Sequence, residues 1–94
     1  SWVMKLNPQQ KAIVAEIRRG VKEGETRPLV IAACAGAGKT HTLVTAVAAA
    51  INQGLDPEKV LLATFTKVGG EEMKKRLAKV VEPAKLVKLR VGTI

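Results

Sequence analysis

The chain has 94 residues, of which 47% are hydrophobic and only 2% aromatic, and it carries a formal net charge of +8 at pH 7. This composition excludes a disordered chain and predicts one modest, aliphatic core. The positive charge favours nucleic acid as a partner, although solvated helix faces would give the same balance. A single cysteine excludes an internal disulfide, and no apolar run approaches the ~18 residues of a membrane span. We therefore expect a soluble, cytoplasmic protein without a membrane partner.

The first predicted element is a helix that begins after Asn7 and ends near Arg19. Asn is a preferred N-cap residue, and Pro8 follows at the first helical position, where its missing N–H costs nothing. Apolar residues recur at helical spacing at Ile13, Ile17 and Val21. Glycines and a proline mark a polar connection after this helix, which separates it from the next element.

A continuous apolar run from Leu29 to Cys34 predicts a central parallel strand covered on both faces. The segment Ala33 to Thr40 reads Ala-Cys-Ala-Gly-Ala-Gly-Lys-Thr and overlaps the end of this apolar run. Its last two residues begin a helical pattern that runs from Lys39 to about Gln53. A glycine-rich turn between a strand and a helix aims unpaired helix amides at an anion, so this segment is predicted to be a phosphate-binding loop. The alternative is a strand-to-helix turn that binds nothing.

Each residue type in this loop suits a bound nucleotide. Lys39 offers a mobile charge to the β and γ phosphates, and the Thr40 hydroxyl suits Mg²⁺, so these two are the predicted catalytic residues. The backbone of the whole turn would surround the phosphates, which predicts cofactor contacts at Ala35, Gly36, Ala37, Gly38, Lys39 and Thr40. The consensus of phosphate-binding loops, Gly-x-x-x-x-Gly-Lys-Ser/Thr, has Gly where this chain has Ala33. Cys34 is interpreted as a small packing residue and not as a nucleophile.

The second half of the chain continues the alternation of strands and helices. A second strand is predicted from Val60 to Thr66, and Gly69-Gly70 is predicted to break the chain before a helix from Glu71 to Val81. The alternating apolar residues from Leu86 to Val91 predict a third strand. This order indicates an α/β fold with the beginning of a doubly wound parallel sheet, in which ligands bind at the carboxyl ends of the strands.

Three separated segments, Leu6-Asn7-Pro8-Gln9-Gln10, the loop ending at Thr40, and Ala63-Thr64-Phe65-Thr66, together resemble the start of the ATPase domain of superfamily 1 helicases of the UvrD, Rep and PcrA kind. The resemblance implies a RecA-like P-loop NTPase that uses ATP and Mg²⁺, with Gln10 reading adenine. A carboxamide can donate to and accept from adenine at once, and guanine would not satisfy the same pair. The alternative for Gln10 is an exposed residue at the helix start. Relatives often carry Arg where this chain has His41, which is left out of the catalytic set.

The third of these segments resembles motif Ia of that family, which implies contact with single-stranded DNA at Thr64, Phe65, Thr66 and Lys67. An aromatic ring gives any base a stacking surface, while hydroxyls and a lysine suit phosphate oxygens. The alternative for Phe65 is a core residue at the end of a strand. The last four residues, Val91 to Ile94, resemble the start of motif Ib.

An acidic site of the Walker B kind is missing from the sequence. Asp56 is the only Asp and precedes a strand, and Glu71-Glu72 suit the start of a helix. Residues 1–94 are therefore predicted to be the N-terminal portion of a RecA-like helicase ATP-binding domain, inactive without the rest of the parent chain. The resemblance implies that the intact parent hydrolyses ATP while moving on single-stranded or partly duplex DNA. A non-catalytic nucleotide- or nucleic-acid-binding module and another P-loop enzyme, such as a small-molecule kinase, are the alternatives.

Overall fold

The computed structural model describes residues 5–21, 28–33 and 37–93, with the backbone alone at 32, 33 and 37–40. Its helices are α1 (Pro8–Gly20), α2 (Ala37–Asn52), α3 (Lys67–Ala78) and the single turn α4 (Pro83–Leu86), and its strands are β1 (Leu29–Ala33), β2 (Val60–Thr64) and β3 (Arg90–Thr93). The mixed α/β class and the order of the predicted elements are therefore confirmed. No helix in the described ranges is long and apolar enough to cross a membrane.

Helix α1 begins with a reciprocal cap. The Asn7 side chain accepts from the Gln10 N–H at 2.8 Å, and the Gln10 Oε1 accepts from the Asn7 N–H at 3.0 Å. This capping box satisfies two backbone donors that would otherwise lack a partner, and Pro8 occupies the first helical position. The predicted start of the helix is confirmed, and its buried face contributes Val14 and Ile17 to the core.

The three strands form one parallel sheet in the order β1-β2-β3, so β2 is central and β1 lies at an edge of the described sheet. Leu29 pairs with Val60, and Leu61 with Arg90. The prediction that the first strand is central and covered on both faces is wrong for this sheet, since Val30 is 58% exposed. An apolar run reports that a strand is partly buried, but it does not report how many neighbours the strand has.

Helices cover one face of the sheet. The core between them is aliphatic, as predicted, and its fully buried large side chains are Ile51, Leu62, Met73, Leu77, Val47, Val60 and Val81. Because side chains alternate along a strand, the register partners Val30, Leu61 and Arg90 lie on the other face, and none of them belongs to the core cluster.

Helix α3 begins at Lys67, four residues before the predicted start, so Gly69-Gly70 lies inside the helix and does not break the chain. The Thr66 side chain caps the helix by accepting from the Gly69 N–H at 2.9 Å. A Cβ on Gly70 would lie 3.2 Å from the Thr64 Oγ1 and 3.5 Å from the Val91 Cγ1. The glycines therefore allow the first turn of the helix to pack directly on the sheet.

The third strand also begins later than predicted. Pro83 starts α4 at its first position, and the Val87 and Leu89 N–H groups then donate to the Pro83 and Leu86 carbonyls. Leu86 therefore ends α4, Val87 and Lys88 form a turn, and β3 runs from Arg90 to Thr93. Proline fixes its own φ near the helical value, which favours a helical turn over an extended start.

Candidate functional site

The predicted phosphate-binding segment joins the carboxyl end of a parallel strand to the start of a helix. Strand β1 ends at Ala33 and α2 begins at Ala37, so the backbone of Ala37, Gly38, Lys39 and Thr40 forms the first turn of α2. The first four N–H groups of a helix have no partner within it and carry the positive end of its dipole, which fits a phosphate. Cys34, Ala35 and Gly36 lie outside the described residues, as do the Lys39 and Thr40 side chains.

Gln10 is buried at 8% exposed, so the alternative of an exposed residue at the helix start is wrong. Its Oε1 accepts from the Asn7 N–H. A carbonyl oxygen has two lone pairs and a carboxamide has two donors, so the capped side chain retains the capacity to bond a base. The capping box therefore fixes the orientation of the group that is predicted to read adenine.

The predicted DNA-contacting segment, Thr64 to Lys67, runs from the last residue of β2 through a two-residue connection to the first residue of α3. Phe65 is 58% exposed, so the alternative of a core phenylalanine is wrong. Thr66 and Lys67 are also exposed, whereas Thr64 is buried. The Thr64 hydroxyl donates to the Thr66 carbonyl at 2.9 Å and lies 3.4 Å from the Gly92 carbonyl. Thr64 therefore positions this connection from inside the sheet, while the three residues after it face outward.

Both predicted segments follow carboxyl ends of strands that pair with each other. Ala33 at the end of β1 is the register partner of Thr64 at the end of β2, and Thr64 pairs in turn with Thr93. Ala33, where the predicted phosphate-binding segment begins, and Thr64, which precedes Phe65, therefore lie at the same edge of the sheet, the one formed by the carboxyl ends of its strands. Ligands of open α/β sheets bind at this edge, which makes it the candidate site.

A groove between α2 and α3 was not predicted from the sequence. It has a volume of about 390 Å³, and His41, Glu72 and Arg76 are among its lining residues, with the Arg76 Nε 3.7 Å from the Glu72 Oε1. His41 follows Thr40 directly and is exposed. The i,i+4 spacing of Glu72 and Arg76 is visible in the sequence, but only the packing of α3 against α2 brings the pair to His41. In the described ranges, no group of three His, Cys, Asp or Glu residues could hold a metal ion.

Comparison with known proteins gives a consistent result. Residues 6–94 match the protein family described as UvrD/REP helicase N-terminal domain. A Mycoplasma capricolum protein named "Probable DNA helicase II homolog" is 38% identical over 76 residues, which are 80% of this chain and 9% of that protein. A protein of the same name from Rickettsia felis is 34% identical over 77 residues, 81% of this chain and 11% of that protein.

A third relative carries a different name. This Ligilactobacillus salivarius protein, named as one subunit of an ATP-dependent helicase/nuclease, is 39% identical over 69 residues, which are 73% of this chain and 5% of that protein. The chain therefore spans only a small part of the length of the curated relatives that it matches.

Proposed function

Because the chain belongs to the UvrD/REP helicase N-terminal domain family, we propose that it is the N-terminal portion of a RecA-like, P-loop ATP-binding domain in an ATP-dependent DNA helicase. The observation that supports the proposal is the pairing of Ala33 with Thr64, because the predicted phosphate-binding segment begins at the first residue and the exposed Phe65 follows the second. The Walker B site and the second lobe would come from the rest of the parent chain.

The nucleotide half of the proposed site is the start of α2. The backbone amides of the first turn would bind phosphate oxygens, Lys39 would neutralise charge on the β and γ phosphates, and the Thr40 hydroxyl would hold Mg²⁺. ATP supplies the phosphoryl group whose transfer to water releases the free energy for movement. Gln10, fixed by its bond to the Asn7 N–H, would read the adenine.

The nucleic-acid half of the proposed site is the β2–α3 connection. The Phe65 ring would stack on a base of single-stranded DNA, and Thr66 and Lys67 would contact phosphates beside it. Stacking requires an accessible ring face, and the 58% exposure of Phe65 supports it. Thr64 would position the connection without touching the strand, because it is buried and its hydroxyl donates to the Thr66 carbonyl.

A helicase is favoured over the two other interpretations of the sequence. A small-molecule kinase has no need of an exposed aromatic residue at the end of a second strand. A non-catalytic module would not explain the helicase names of relatives that match 73% and 81% of the chain.

The test is phosphate release from ATP by the intact parent protein, with and without single-stranded DNA. We expect strong stimulation by DNA, and a loss of about 100-fold in the Lys39→Ala variant, because charge on the phosphoryl group is then not neutralised. Lys88→Ala is the matched control, since Lys88 is exposed in the turn before β3 and should leave the rate unchanged. Hydrolysis that is indifferent to DNA would assign the parent to another class of P-loop enzyme.

A further inference from the structure

A second groove lies beside α1, and the proposed function makes no use of it. This groove, here called the α1 groove, has a volume of about 480 Å³ and is lined by Leu6, Lys11, Val14, Ala15, Arg18 and Gln53. It combines an apolar floor with two cationic side chains, and none of these six lining residues carries a carboxylate.

The floor of the α1 groove is continuous with the core. Val14 is 5% exposed and belongs to the core cluster, and Leu6 packs partly buried against that cluster. Ala15 is exposed and presents only a methyl group. A leucine side chain of a bound ligand that packed against Ala15 would therefore contact an existing apolar surface. Burial of the apolar area of that leucine would favour binding.

The two cations stand at a defined spacing. Lys11 and Arg18 are separated by two helical turns of α1, about 10.5 Å along its axis. The Arg18 Nη1 donates to the Gln53 Oε1 at 3.0 Å, which joins α1 to the residue after α2 and orients the guanidinium. The acidic residue of this helix, Glu16, pairs with Arg19 at 2.7 Å and does not line the groove. The positive charge of the groove is therefore not cancelled by α1 itself.

We propose that the α1 groove docks an acidic amphipathic helix of a partner protein. A helix lying along α1 would place apolar side chains over Leu6 and Ala15, and glutamates at its positions i and i+7 would match the spacing of Lys11 and Arg18. The long apolar stems of Lys and Arg cover the edge of such an interface while their charges meet the carboxylates.

A peptide helix fits these features better than nucleic acid does. Sequence-independent binding of a single strand uses a basic track together with aromatic side chains on which bases stack. The α1 groove has two separated cations, an aliphatic floor and no aromatic residue among its lining. Its apolar part matches leucine or methionine side chains and offers a phosphate backbone no partner.

The test is fluorescence anisotropy of the intact parent protein with a labelled amphipathic peptide that carries leucines on one face and glutamates at i and i+7. Reversal of both charges, Lys11→Glu with Arg18→Glu, should weaken binding by about tenfold or more. A peptide with lysines in place of the glutamates should bind this double variant and regain most of the lost affinity. Regained binding also shows that the variant is folded.

The matched control is the double variant Lys85→Glu with Lys88→Glu, which changes the net charge equally in α4 and the turn after it and should leave peptide binding within about twofold. An equal loss in both double variants would overturn the proposal and assign the attraction to the overall charge. Full displacement of the peptide by a single-stranded oligonucleotide, lost together with peptide binding in the first double variant, would instead identify the groove as a nucleic-acid site and overturn the assignment to a peptide.

Discussion

Helices α1 and α3 both begin beside a residue that is predicted to contact a ligand, but their starts are built differently. The cap of α1 is local, because Asn7 and Gln10 satisfy each other within one turn. The start of α3 has a side-chain cap, in which the Thr66 hydroxyl accepts from the Gly69 N–H. It also depends on the absence of a side chain at Gly70, where the helix meets Thr64 and Val91. A local cap can be predicted from the sequence, whereas a fit between distant segments cannot.

The largest expected effect would remove that fit. Gly70→Val places carbon atoms against the Thr64 Oγ1, 3.2 Å from the added Cβ, and against the Val91 Cγ1 at 3.5 Å. Overpacking of this kind should lower the free energy of unfolding by about 2–3 kcal/mol, even though Val forms helices better than Gly does. Denaturant unfolding measures the loss, and Ala78→Val, at an exposed position of the same helix, should stay within about 0.5 kcal/mol. Equal stability of the two variants would show that α3 does not pack closely on the sheet.

The next effect separates binding from stability at the start of α3. Phe65→Ala should weaken binding of single-stranded DNA by about 1–3 kcal/mol, because one stacking surface is lost. The free energy of unfolding should change by less than about 0.5 kcal/mol, since the ring is 58% exposed. Titration of labelled oligonucleotide and thermal unfolding give the two values. A large loss of stability with unchanged DNA affinity would return Phe65 to a structural role.

The last prediction concerns α1 and separates the cap of this helix from its proposed ligand. Gln10→Glu keeps an oxygen that accepts from the Asn7 N–H, and its carboxylate lies near the positive end of the helix dipole. The free energy of unfolding should therefore change by less than about 0.5 kcal/mol. ATP binding should still weaken, because the carboxylate has no donor for the base. Gln10→Ala is the comparison, and it should lose about 1 kcal/mol of stability along with nucleotide affinity. Unchanged ATP affinity in both variants would limit Gln10 to the cap.

The sequence predicted what depends on neighbours along the chain. Asn7 and Pro8 identified the start of α1, and the apolar runs identified β1 and β2, because these signals act within a few residues. The prediction failed where distant contacts decide. Gly69-Gly70 was interpreted as a break, but Thr66 and the sheet accommodate it as helix. The error at Leu86 is different, because the signal that places it in a helical turn is local: Pro83 starts α4 three residues earlier.

The candidate site likewise has features that the sequence predicts and features that depend on contacts between distant residues. The strand-to-helix setting of Lys39 follows from local pattern, and the structure agrees with it at the level of the backbone. The exposure of Phe65 could not be decided from the sequence, because an aromatic residue at the end of a strand can point into the core or away from it. The groove lined by His41 and Arg76 depends on how α2 and α3 pack against each other. The apolar periodicity within either helix does not predict how close these two side chains lie.

The connection between β2 and α3 also has a mechanical property. Only Phe65 and Thr66 separate the central strand from the helix, and the Thr64 hydroxyl closes this link by donating to the Thr66 carbonyl. A long loop could change conformation without moving the strand or the helix that it joins. A two-residue connection that is hydrogen-bonded at both ends has little such freedom. A pull on the Phe65 ring would therefore pass directly into the sheet, and a shift of β2 would move the ring by a comparable distance. Under the proposed function, this short connection would couple the position of β2 to a base stacked on Phe65.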